Sequence, residues 1–201
     1  QALRTRLGTG ETRRIQFRQH PDKLTLDALL KFLATLPGPR IAVFNTVQTA
    51  AVVALALAKQ TGRAQVEHLS TALNPSDRAS TLTRIKARLR DKSDTDWTLV
   101  ATSLVEAGVD FSFRSGVREA SSLPSLMQLG GRVNRHDEYE AAEAWSVSLL
   151  PGNGIRPHQA MRTPASWNVP TVIPNWRASN RRRSFWKACW NRRSKKPGSG
   201  S

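Results

Sequence analysis

Two arginines and a glutamine lying close together are the residues of this chain best suited to chemistry. Residues 126–135 read Leu-Met-Gln-Leu-Gly-Gly-Arg-Val-Asn-Arg. On a helix, Gln128, Arg132 and Arg135 are spaced i, i+4 and i+7 and share one face. Two guanidinium groups held that way suit the spread negative charge of a transferring phosphoryl group. Taken alone, the same spacing equally describes a solvated basic helix face.

A second motif lies about 20 residues upstream. Residues 100–111 read Val-Ala-Thr-Ser-Leu-Val-Glu-Ala-Gly-Val-Asp-Phe. Residues 97–101 are mostly apolar and β-favouring, which predicts a buried strand. Thr102 and Ser103 follow where a strand of a parallel sheet ends, the edge at which open α/β sheets bind ligands. Their hydroxyls and amides suit phosphate oxygens. Gly108 permits a tight turn, and Asp110 offers a carboxylate to a sugar hydroxyl. The plainer reading is a helix cap at Thr102 and Ser103 and a turn at Asp110.

The elements that must position these groups alternate between strand and helix. Residues 13–18 alternate weakly as an entry strand, which His20-Pro21 is expected to break. Residues 25–36 carry Leu26, Leu29, Leu30 and Leu33 at helical spacing, stopped by Pro37-Gly38-Pro39. Residues 41–44 form a short apolar strand. Asn45 or Thr46 caps the next helix, which runs to Gly62, and residues 64–69 make a strand. Ser76 or Asp77 is expected to cap a third helix that buries Leu82, Ile85 and Leu89. A strand near Val117, a helix over 124–134 with the arginines aimed outward at the carboxyl edge, and a strand over 145–150 complete the pattern. Such alternation predicts a parallel sheet with helices on both faces, over residues 13–150.

The 201 residues suit one domain with an appendage. No apolar run is long enough to span a membrane, and no signal peptide opens the chain, so a cytoplasmic setting is expected. One cysteine, Cys189, and four scattered histidines (His20, His68, His136, His158) argue against disulfides and a zinc site, so no metal ligand is assigned.

The net charge of +16 is unevenly placed. Residues 1–150 hold 20 Lys and Arg against 15 Asp and Glu, whereas residues 151–201 hold 11 Lys and Arg and no acid. A polyanionic partner is the natural inference, although the core itself is only mildly basic. Residues 151–201 are rich in Pro, Arg and Ser and hold four of the six tryptophans. Basic residues interleaved with aromatics suit single strands. The abrupt change of composition instead favours a basic, poorly ordered tail, foreign to the domain or read in an altered frame, ending in a linker-like Pro-Gly-Ser-Gly-Ser. Residues 1–12 form a short N-terminal extension.

Four stretches in order resemble the second RecA-like domain of superfamily 2 helicases, across about residues 40–150. Ile41-Ala-Val-Phe-Asn-Thr-Val-Gln-Thr-Ala50 resembles motif IV. His68 with Asp77-Arg78 resembles the segment after it. Thr102-Ser-Leu-Val-Glu-Ala-Gly-Val-Asp110 resembles motif V, in wording typical of CRISPR helicases. Arg118-Glu119, Ser125-Leu-Met-Gln128 and Gly131-Arg-Val-Asn-Arg-His136 resemble the run into motif VI. Within that superfamily the chain resembles the helicase–nuclease of type I CRISPR interference.

The resemblance implies an α/β RecA-like fold and an ATP-driven single-strand DNA motor. It implies that Arg132 and Arg135 are arginine fingers for the γ-phosphate and that Gln128 orients them. It places Gly108 and Asp110 near the nucleotide's sugar, and Asn45, Thr46, Thr102 and Ser103 on the phosphate backbone of the DNA strand. Leu129-Gly130 departs from relatives that carry an Arg or small residues there.

The sequence has no Gly-x-x-x-x-Gly-Lys-Ser/Thr loop, no Asp-Glu-x-His/Asp stretch and no His-Asp nuclease motif beyond His136-Asp137 of the finger loop. ATP with Mg²⁺ is therefore expected to be held mainly by a first RecA-like domain outside this chain, in a longer protein that also carries a nuclease domain. Single-stranded DNA and the CRISPR surveillance complex are the implied partners. The chain alone is expected neither to hydrolyse ATP nor to cut DNA. Two other readings stand beside this one: a fragment of a generic superfamily 2 translocase, and a passive nucleic-acid-binding module whose affinity lies in the tail.

Overall fold

A computed structural model describes residues 15–102 and 110–156. All of them belong to one contact-defined unit spanning residues 13–173. The second unit (1–12 with 174–201), the tail beyond 156, Ser103 and Gly108 lie outside the described residues.

Six strands form one sheet: β1 (Gln16–Leu24), β2 (Arg40–Phe44), β3 (Val66–Leu69), β4 (Thr98–Thr102), β5 (Ser115–Glu119) and β6 (Glu143–Leu149). Their order is β1-β6-β5-β2-β4-β3, and every neighbouring pair is parallel. Parallel strands need crossovers, and four helices supply them: α1 (Leu26–Thr35), α2 (Val47–Thr61), α3 (Pro75–Arg90) and α4 (Leu123–Gly130). The expected RecA-like sheet with helices on both faces is what forms.

Each helix starts where a short polar side chain takes an orphan amide. Thr25 accepts from the Ala28 amide, Thr46 from Thr49, Asn74 from Asp77 and Ser122 from Ser125. The cap of α3 is therefore Asn74, not Ser76 or Asp77. Pro75 sits in the first turn of α3, where its missing N–H costs nothing.

Strand alternation builds two cores. Ala42, Phe44, Val100, Val117 and Val147 face α1 and α2. Ile41, Val43, Leu99, Ala101 and Ala144 face the other way, toward Ile85 of α3 and Leu126 and Leu129 of α4. Central strands buried on both faces read as continuous apolar runs, which is why β2 and β4 are legible in sequence.

Strand β1 differs from expectation. It passes through His20-Pro21 to Leu24, with a register irregularity between Gln19 and Lys23. As an edge strand it hydrogen-bonds only to β6. Proline and a bulge are tolerated there because the missing donor belongs to no second partner.

Gly116 in β5 permits the close approach of the segment after α4. A Cβ there would lie 2.7 Å from Val133 Cγ2 and 3.1 Å from Leu129 Cδ2. Both side chains are at most 1% exposed and cannot move aside. Gly116→Ala should therefore lower unfolding stability by about 1–3 kcal/mol through overpacking, measurable by urea denaturation. His68 on β3 offers a second check. Burial pushes its pKa below 6.5, so as pH falls through about 6.5 the unfolded chain gains a proton that the folded one resists. Stability should fall on that acid side, and His68→Gln should flatten the dependence in pH-resolved melts.

Candidate functional site: a cationic turn and a polar strand edge

Helix α4 ends earlier than the spacing suggested. It stops at Gly130, and the amides of Arg132 and Val133 bond back to Leu129 and Gly130 carbonyls in a tightened last turn. Gln128 is exposed on the helix, whereas Arg132 and Arg135 lie beyond its end. The shared helical face expected for these three residues does not form. Consecutive glycines, 130 and 131, are poor helix formers, and a competing pairing takes the chain away.

That pairing runs between residues 110–113 and 132–135. Phe113 and Val133 form a parallel bridge. The Phe113 amide donates to the Arg132 carbonyl at 2.8 Å, and the Asn134 amide donates to the Phe113 carbonyl at 2.7 Å. The Arg135 amide donates to Ser112 Oγ at 3.0 Å. Phe111, Phe113 and Val133 are fully buried beneath, beside Trp97.

Asn134 holds the turn between the two arginines. It is 0% exposed and adopts φ +45°, a left-handed conformation that Asn accepts more readily than most residues. Its Nδ2 donates to the Tyr139 carbonyl at 2.7 Å and its Oδ1 accepts the Tyr139 amide at 3.0 Å.

These contacts bring Asp110 and Arg135 together, with Arg135 Nε 3.0 Å from Asp110 Oδ1. The Arg135 side chain is 42% exposed and that of Asp110 is 68% exposed. Arg132 is half-buried, and burial is the main cause lowering its pKa from the usual guanidinium value. Repulsion from Arg135 lowers it further, and attraction to Asp110 opposes both. Arginine keeps its proton regardless, so an anion here meets two fixed cations.

The cationic turn is not at the carboxyl edge of the sheet, where the arginines were expected. Its partner, residues 110–113, immediately precedes β5, and the Arg114 amide bonds to the Pro39 carbonyl just before β2. The turn thus sits at the amino end of β5. The reason is directional: α4 leaves the carboxyl end of β5 and runs back along the sheet.

Of the residues expected to meet a DNA strand, Asn45, Thr46 and Thr102 lie at the carboxyl edge. Thr102 ends β4 opposite Phe44, is 4% exposed, and its Oγ1 has no hydrogen-bond partner among the described residues. Thr46 caps α2, and its hydroxyl also donates to Thr49 Oγ1 at 2.8 Å. Asn45 is tied into the fold: its Oδ1 accepts from Arg118 at 2.7 Å, its Nδ2 donates to the Ala120 carbonyl at 3.0 Å, and its amide donates to Glu119 at 2.7 Å.

Arg118 and Glu119 carry a role that their sequence did not disclose. Each is 4% exposed at the end of a central strand. Arg118 Nη1 also donates to the Val43 and Glu119 carbonyls. The signal was available: adjacent opposite charges ending a central strand must be hydrogen-bonded to be buried.

The family model for the C-terminal part of the CRISPR-associated nuclease/helicase Cas3 matches residues 38–138, just over half of the chain. The match contains the cationic turn and the polar edge together. The chain belongs to the Cas3 C-terminal family. The curated Cas3 of Haloferax volcanii is 43% identical over 47 residues, which cover 23% of this chain and 5% of that protein. The crystal structure of T. fusca Cas3 with ATP aligns with TM-score 0.56 at 18% identity, over 69% of this chain and 18% of the other. The yeast DEAD-box splicing factor Prp28 aligns with TM-score 0.51 at 19% identity, over 69% of this chain and 29% of the other. Both structural likenesses show the RecA-like fold. The chain therefore spans only a small part of the Cas3 proteins it matches.

Asn134 gives a direct test of how the turn is held. Asn134→Ala puts in the left-handed region a residue that tolerates it less well than Asn and removes the amide clamp, and should cost about 2–4 kcal/mol of stability. Asn134→Gly keeps the backbone conformation and should cost less, both read from denaturant melts of the domain.

Proposed function

We propose that this chain is the second motor domain of an ATP-dependent single-strand DNA translocase in CRISPR interference. Arg135 and Arg132 act as arginine fingers toward the γ-phosphate of an ATP–Mg²⁺ held by a first RecA-like domain. Asp110 and Gly108 meet the sugar, Gln128 helps orient the fingers, and Asn45, Thr46, Thr102 and Ser103 meet the DNA backbone. Residues 13–150 are the motor unit, residues 1–12 an extension and residues 151–201 a basic tail. The nuclease domain and the CRISPR surveillance complex complete the assembly, in the cytoplasm.

The observation that carries the proposal is the exposed Arg135 beside Asp110, displayed on a backbone pair that cannot slide. Charge builds on the γ-phosphate during transfer, and an arginine finger contributes about 10³–10⁵ in rate. A finger supplied by a separate body makes hydrolysis depend on closure. ATP supplies the free energy for that closure and release, and this chain's own residues supply charge, orientation and strand grip. The separation between the cationic turn and the polar edge supports a domain that touches nucleotide and strand on different sides. Strand contacts through hydroxyls and amides suit a phosphate backbone without reading bases.

The test is a single-turnover ATPase assay of the chain with and without the P-loop RecA-like domain, with single-stranded DNA present. The chain alone should be inactive. Arg135→Ala should lower partner-dependent hydrolysis by about 10³-fold or more and leave single-strand affinity within about twofold, because the turn is remote from the polar edge. Robust hydrolysis by the isolated chain, or full activity of the Arg135→Ala variant, would overturn the proposal.

A further inference from the structure

An open groove of about 510 Å³ borders the cationic turn, lined among others by Lys86, Arg90, Lys92, Asp110, His136 and Glu138. We infer that this groove is a docking surface for a carboxylate-bearing face of the body that delivers the triphosphate. The inference rests on the proposed function and names the chemistry of the partner's contact.

The charges of α3 divide into two sets. Arg84 and Arg88 are engaged internally, Arg84 by Glu67 at 3.0 Å and Arg88 by Asp94 at 2.6 Å. Lys86 and Arg90, one turn apart and both exposed, form no ion pair among the described residues. The two acids that line the groove are already used. Glu138 holds Lys92 at 2.6 Å, and Asp110 holds Arg135 at 3.0 Å. Lys86 and Arg90 thus face the groove with no carboxylate assigned to them.

Asp110 belongs to both the groove and the Arg135 pair. A body that sets a phosphate against Arg135 comes beside Asp110, a residue of the groove, and in the inferred docking it covers the groove. Lys86 and Arg90 then lose water, which is costly unless opposite charges replace it. Complementary carboxylates opposite these two cations meet that requirement, and they also steer the encounter. A nucleic-acid strand is the other polyanion that fits such charge. It is disfavoured because Thr46 and Thr102, residues proposed to meet the strand, lie at the opposite end of the sheet from the cationic turn. The T. fusca chain is several times longer than the part this one aligns with, which leaves ample protein to provide the acidic face.

The experiment titrates the chain onto the P-loop RecA-like domain loaded with a non-hydrolysable ATP analogue, at low and moderate salt. The wild-type chain should dock with marked salt dependence. The double reversal Lys86→Glu with Arg90→Glu should weaken docking by about tenfold or more at low salt and flatten the salt dependence. The neutral pair Lys86→Gln with Arg90→Gln should fall between. In the ATPase assay the reversal should raise the half-saturating partner concentration by a similar factor, with the maximal rate preserved. Affinity of the chain for a single-stranded oligonucleotide should change less than about twofold.

Docking that is absent, or unaffected by the reversal, overturns the inference. So does a loss confined to oligonucleotide affinity, which would assign the groove to nucleic acid. A wild-type pair that docks but never hydrolyses ATP would sink the motor proposal and leave the acidic docking face standing. Hydrolysis whose half-saturation ignores the reversal would do the converse.

Discussion

A backbone pairing one bridge long governs the display of charge in this domain. Phe113 donates to the Arg132 carbonyl and accepts from the Asn134 amide, on either side of Val133, above a floor of buried aromatic rings. Asp110 is carried by one side of the pair and the two arginines by the other. Breaking such bonds in a water-excluded place leaves unsatisfied amides, each costing about 1–3 kcal/mol. The charged side chains therefore stand on an anchored base while their ends reach solvent. Rigid support beneath exposed charge is what a group acting across an interface needs.

Strand β5 joins the cationic turn and the polar edge. Its first residues adjoin the cationic turn, and its last, Arg118 and Glu119, clasp the loop at Asn45. Five residues of strand span only about 13 Å, and every one of them is buried. A stiff, fully enclosed rod between the two regions resists local bending.

Much of this was legible from residue types. The apolar runs of β2 and β4, the leucine stripe of α1 and a cap at Asn45 or Thr46 announce themselves locally, because burial and capping act over a few residues. The family resemblance followed from short motifs in order and agrees with the family match. What escaped was non-local. Pro21 is a breaker in isolation, but an edge strand tolerates it. The end of α4 depends on Val133 finding Phe113, some twenty residues earlier in sequence, which no helical periodicity reports. The side of the sheet on which the arginines lie depends on the return direction of α4. The buried Arg118–Asn45 clasp needs two strands to be neighbours before its hydrogen bonds exist.

The sheet's two margins carry a further consequence. On one side β1 carries Pro21 within a register irregularity, and on the other β3 has only four residues. Unpaired strand margins invite other chains to add on, and short or proline-broken ones discourage it. A parallel sheet assembles slowly because its partners are distant in sequence. Blunted margins let these strands wait for one another with less danger of being captured by a neighbouring molecule, and so guard the domain against aggregation while it is still incomplete.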